Sequence, residues 1–191
     1  LLPEMARLDI KYRLPIIDIA IPALKQLSRD QYQAFRDNLV ALVEMDSRVD
    51  LMGWSLQKIL FNHLDGQFFK LRHMNTRYTH PEQLKQEIEL ILSVMAYAGH
   101  QDQKTAEAAF SAATKILEFS GLQLVAKNEI SLSDLDRSLQ KLEKVKPLAR
   151  LQLLKSCAAS VVHDRKISSV EIELLRAFSG VLDCPMPPKV P

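Results

Sequence analysis

The chain has 191 residues, 47% of them hydrophobic and 25% charged, with 25 Lys and Arg against 23 Asp and Glu and a formal net charge of +2. That balance excludes the strong positive bias of a nucleic-acid binder, and the apolar content suffices for a substantial core. Five glycines, 6% aromatics and no sustained apolar-polar alternation exclude a sheet protein and predict an all-α fold.

The first apolar stretch is 14–27 (LPIIDIAIPALKQL), at near-helical spacing. Pro22 is expected to break it into two short turns, because its ring clashes with the carbonyl four residues back. It is also the best candidate for a membrane span, but it is too short and holds Asp18 and two prolines, so the chain is expected to be soluble. Ser28 and Gln31 then form a capping box, opening a helix to about Met45 that buries Tyr32, Phe35, Leu39, Leu42 and Val43. Asp50 is expected to cap the next helix, which carries Leu51, Trp54, Leu56, Ile59, Leu60 and His63.

Residues 65–80 lose this periodicity and concentrate Lys70, Arg72, His73 and Arg77, as a linker does. Pro81 opens a long helix to about Ala98 that Gly99 closes, and an alanine-rich helix is predicted over 105–119. Ser131 starts a short helix to about Val145, Pro147 opens one to Val162, and Ser168 with Glu171 is a second capping box. The tail from Asp183 is proline-rich and expected to be irregular. The expected organisation is a first helical repeat over 1–64, a linker or irregular segment over 65–80, and a helical region over 81–191 holding a second repeat and the tail.

The repeat is a pattern met around Asp46 and again around Asp164: an apolar helix end, an Asp, a basic residue, a β-branched plug, a capping residue and a new amphipathic helix. A duplicated helix-loop-helix is the predicted architectural unit. A metal site built from Asp46, Asp164 and Glu171 is conceivable, since hard cations prefer carboxylate oxygens. The favoured reading makes Asp164 the closer of an Asx-turn and Glu171 a cap, both satisfied by backbone amides, with no metal bound.

Zinc hydrolysis on a helix needs two His at i and i+4 with Glu after the first. The five histidines are followed by Leu64, Met74, Pro81, Gln101 and Asp164, so none starts such a motif. Cys157 and His163 lie six apart on different faces of one helix and make no nucleophile-base pair. No catalytic residue is assigned, and no cofactor is expected in this chain. Lys141, Lys144, Lys146, Arg150 and Lys155 read as the solvated face of amphipathic helices, diluted by Glu143, rather than as a membrane or acidic-partner patch. Cys157 and Cys184 are too few for a disulfide framework and are expected to be reduced, largely buried thiols, which leans toward the cytoplasm. No signal peptide is present and the sequence begins Leu1-Leu2-Pro3, as a fragment or processed product would.

Segments 14–28 (LPIIDIAIPALKQLS), 173–178 (ELLRAF) and 182–188 (LDCPMPP) resemble the C-terminal region of bacterial membrane-anchored zinc metallopeptidases, the zinc-dependent proteases with chaperone function of the heat-shock protease X type. The resemblance implies upstream membrane helices and an upstream HExxH domain that holds the zinc. The resemblance makes this chain a non-catalytic accessory part and transfers no zinc ligand or catalytic Glu to any of its residues; it would be cytoplasmic, its partners being the protease domain, substrate proteins or itself, with the membrane reached only through the upstream spans.

The paired Asp loops also look like the tellurite-resistance-protein-B-like helical fold, whose repeat reads roughly Asp-Gly-x-Ile-Ser-x-x-Glu. The second copy keeps Asp164, Ile167, Ser168 and Glu171 but has Arg165 for Gly; the first keeps Asp46 and Val49 but has Asp50 for Ser and Gly53 for Glu. This second likeness implies, as the alternative, a free-standing helical module that binds metal or a stress-response partner.

Overall fold

The computed structural model describes residues 9–45, 51–70, 76–100, 102–117 and 119–187. Among them are eight α-helices: α1 (Arg13–Leu24), α2 (Arg29–Met45), α3 (Leu51–Phe68), α4 (Lys85–Gly99), α5 (Gln103–Thr114), α6 (Leu132–Leu142), α7 (Pro147–Val162) and α8 (Ser169–Val181). The fold is all-α, and its starts follow the local chemistry of the sequence. The Ser28 amide donates to Gln31 Oε1 at 2.9 Å and the Gln31 amide to Ser28 Oγ at 3.2 Å, which opens α2. Ser131 caps α6, Asp102 caps α5, Pro147 occupies the first turn of α7, and the Ser168–Glu171 box is complete at α8.

The core is built around α4. Its residues Leu90, Ile91, Leu92, Ser93, Val94, Met95 and Ala96 are buried in an unbroken run, as happens when a helix is surrounded on every side. It packs against α5, α6, α7 and α8, while α3 and α8 lie against each other and α2 and α1 rest on α3. The helices α3 and α8 meet with the Trp54 and Phe178 rings edge to face at 6.1 Å and Leu174 fully buried. The Tyr32 hydroxyl donates to Asp65 Oδ1 at 2.6 Å and its ring stacks on Phe68 at 4.2 Å, so α2 is pinned to the far end of α3.

Several expectations need correction. Pro22 does not divide the first apolar stretch: α1 runs through it, since only Ala23 and Leu24 lie beyond it and Ile17 and Ile21 hold the helix in the core. The missing amide costs one bond to the Asp18 carbonyl, near the helix end. Leu42 is 66% exposed rather than buried, because it falls to one side of the stripe that Tyr32, Leu39 and Val43 form. The helix α3 continues through Asp65 to Phe68, into the segment read as a linker. Residue Val145 and the end of that segment come together, with the Arg77 amide donating to the Lys144 carbonyl at 2.8 Å.

The alanine-rich helix stops at Thr114 instead of Phe119. From there the chain turns at Gly121, whose φ of 83° favours glycine, and runs extended over α4. Backbone amides of Gln123 and Val125 donate to Glu89 Oε1 at 2.8 Å and Ser93 Oγ at 2.9 Å. Leu122 and Leu124 face inward in alternation with exposed Gln123, a pattern too brief to register as a strand in sequence. The first Asp loop, with Asp46 and the predicted cap Asp50, lies outside the described residues.

Candidate functional site

The second Asp loop links α7 to α8 and behaves locally as its sequence implies. The Lys166 amide donates to Asp164 Oδ1 at 2.9 Å, closing an Asx-turn. This bond holds the Asp164 carboxyl below its ordinary value, with the charges of His163 and His100 adding to the effect. Arg165 has φ of 64°, a left-handed conformation that a side chain adopts at a cost, and Ile167 plugs the loop against the core.

Glu171 is 1% exposed. Its Oε2 accepts from the Ser168 amide at 2.8 Å and the Ser168 hydroxyl at 2.7 Å. The other oxygen lies under the last residue of α4: a Cβ built on Gly99 would sit 2.1 Å from Oε1 and 2.4 Å from Cδ. Gly99 was expected to close α4 as a cap, but its role is spatial, since only a residue without a side chain lets the Glu171 carboxylate approach the α4 terminus so closely. The α8 N-terminus and the α4 C-terminus are therefore packed closely together.

That packing leaves His100, the residue after α4, beside the loop. One ligand atom each from His100, His163 and Asp164 lie within 4.8 Å of one another. The two imidazoles meet edge to face, centroids 4.8 Å apart at 74°. His163 Nδ1 sits 2.8 Å from the Ser160 carbonyl. His100 is 9% exposed, and its Nε2 is buried with no hydrogen-bond partner. Among the described residues, then, Asp164 is grouped with two histidines rather than with Glu171, and Asp46 lies outside the described residues.

The triad is hidden in the sequence, because its histidines fit neither the HExxH spacing nor a pairing of His163 with Cys157. The available signal was the His163-Asp164 pair in a loop, but nothing in the order of residues announces that His100 comes beside it. Cys157 is fully buried and its thiol is pushed up to about 12 by desolvation, far from an active nucleophile. Of the basic residues, Lys141 Nζ pairs with Glu87 Oε1 at 2.5 Å and Arg150 Nη1 donates to the Leu182 carbonyl at 2.7 Å, so two of the five serve as ties between elements.

Arg176 on α8 forms a two-pronged pair with Asp18 on α1, one prong at 3.1 Å. The pair joins segments 14–28 and 173–178, two of the three that carry the metallopeptidase resemblance. No helix among the described residues is long and apolar enough to cross a membrane. No family model, curated protein or solved structure matches the chain.

Proposed function

We propose that this chain is a non-catalytic accessory domain of a membrane-anchored zinc metallopeptidase, and that it works by contact with the protease domain through the outer face of α1. The observation that carries this reading is a stripe of apolar side chains left facing solvent: on α1 Ile16 is 39% exposed and Ile19 77%, and Tyr12, the residue that caps the helix start, is 51% exposed. Their spacing places them on one side of the helix, while Ile17 and Ile21 take the side that faces the core. An exposed apolar stripe marks an interaction surface. A membrane-surface helix would carry a polar face rich in Lys and Arg, whereas α1 holds one Arg and one Asp. The identity of the partner comes from the resemblance of segments 14–28, 173–178 and 182–188, and the Asp18–Arg176 pair supports reading the first two as one unit.

The test has two arms. The coding sequence upstream in the same reading frame should hold membrane spans followed by HExxH, and a start codon just before Leu1 would sink the reading. The isolated chain, titrated calorimetrically with that protease domain, should bind, and Ile19→Asp should weaken binding by about tenfold or more while the melting temperature stays unchanged. Equal binding by the variant would move the contact off α1.

The second Asp loop supports the other reading, a tellurite-resistance-protein-B-like module that binds metal or a stress-response partner. Arg165 is left-handed where that repeat has Gly, and Ile167, Ser168 and Glu171 plug and cap the loop. Incubating the chain with casein, with and without zinc, checks both readings, since metal-dependent cleavage would make it an enzyme itself.

A further inference from the structure

We propose that His100, His163 and Asp164 form a binding site for a borderline transition-metal dication of the zinc class, a site that staples the end of α4 to the α7–α8 loop. The inference is independent of the protease reading. It also departs from the expectation that Asp164 is only a loop closer.

The donors are brought together by the fold, since His100 comes from one segment and His163 and Asp164 from another, and their ligand atoms already lie within 4.8 Å. A tetrahedral ion with bonds of about 2.1 Å needs donors roughly 3.4 Å apart. Rotation about side-chain bonds closes that difference, because Asp164 is solvent-facing and His163 only partly buried. The backbone around the donors is closely packed: Glu171 caps the α8 N-terminus and lies against Gly99, next to His100, and the Lys166 amide closes the turn on Asp164.

Two features point to a ligand rather than to a chance cluster. The buried Nε2 of His100 has no hydrogen-bond partner, and buried polar atoms nearly always have one. His163 Nδ1 lies against the Ser160 carbonyl, which can only accept and so fixes the ring proton there, leaving Nε2 with the free lone pair; a backbone carbonyl is a common orienting partner of a metal-bound imidazole. Asp164 Oδ1 takes the Lys166 amide, leaving Oδ2 as the third donor.

Two imidazoles and one carboxylate suit zinc, cobalt or nickel, whereas calcium and magnesium call for oxygen donors in greater number. Three protein donors leave a fourth position for water or for a side chain of a partner.

The experiment is a cobalt(II) titration of the tag-free chain followed by visible absorption, with zinc added in competition, beside calorimetric titrations with zinc, calcium and magnesium. One equivalent of cobalt should bind with a tetrahedral spectrum, and zinc should displace it. His100→Ala and His163→Ala should each lower zinc affinity at least roughly a hundredfold, beyond what loss of an outer-shell partner does. Cys184→Ser should bind as the parent does, and zinc should raise the melting temperature of the parent but not of His163→Ala. Absence of stoichiometric zinc binding by the parent would overturn the proposal. So would zinc binding unaffected by both histidine changes, or a calcium site lost only in Asp164→Asn. His163 is partly exposed, so its alanine variant should fold, and its circular dichroism and melt in the absence of metal confirm that the affinity loss is not unfolding.

Discussion

Trp54 concentrates several interactions in one side chain. It is 2% exposed, its Nε1 donates to Asp136 Oδ1 at 2.9 Å, Lys58 Nζ lies 5.4 Å over the ring, and Phe178 meets it from α8. Trp54→Ala should destabilise by about 3 to 5 kcal/mol, as large aromatic truncations in a core do. Trp54→Phe keeps most of the buried area and loses the hydrogen bond, so it should cost less. Urea denaturation of the three proteins gives the order, and an indole fluorescing as though in water in the folded parent would contradict the packing. The thiols divide at the same scale. Cys157 is fully buried with its thiol raised to about 12, while Cys184 is only half-buried. A disulfide-exchange reagent should label Cys184 in the native protein and reach Cys157 only on unfolding; equal rates would show that α7 opens readily.

At the scale of elements, the sequence was most legible where a backbone amide at a helix start has a side-chain partner nearby. Ser28, Ser131, Pro147 and the Ser168–Glu171 box all sit where their chemistry placed them, because a cap is a local event decided within four residues. Ends were less legible. The helix α5 stops at Thr114 because the following segment finds partners on α4, Glu89 and Ser93, that are more than thirty residues away in sequence. Gly99 is the sharpest case, since its reason is the Glu171 carboxylate delivered by another helix. Gly99→Ala should therefore destabilise, and the loss should shrink in a Glu171→Ala background, where the obstructing carboxylate is gone. Additive costs in that double-mutant cycle would mean that the two do not touch. Glu171→Gln keeps an oxygen for the Ser168 amide and should be milder than Glu171→Ala, which loses a cap worth about 1 kcal/mol. In the same loop Arg165→Gly should raise stability by roughly 1 kcal/mol, by relieving a left-handed side-chain residue. A fall in the melting temperature would show that the Arg165 side chain contributes more than its backbone costs.

For the whole molecule, the attachment of α1 to α3 and α8 sets how the fold answers to acid. Asp18 pairs with Arg176, and the guanidinium bonds hold its carboxyl below the usual 3.8. His63 on α3 faces the same place, with Arg176 and Lys25 opposing its charge and Asp18 favouring it; burial and these cations together hold its imidazole below 6.5. Both groups have folded values beneath their unfolded ones, so the unfolded chain binds protons first as the pH falls. The stability each contributes is complete above its unfolded value and is lost as the pH drops through its folded value. His63 should act below about pH 6.5 and Asp18 below about pH 4. The urea midpoint should therefore decline in two steps on acidification. His63→Gln should flatten the first step and leave the second, and Asp18→Asn should lower stability at neutral pH while removing its share of the second. The pair spans 158 positions of sequence, and nothing in either segment read alone couples them. A midpoint that held steady from pH 7 to 5 in the parent would mean that α1 is held by its apolar contacts through Ile17 and Ile21 alone, and that the charges at its edge are screened to insignificance.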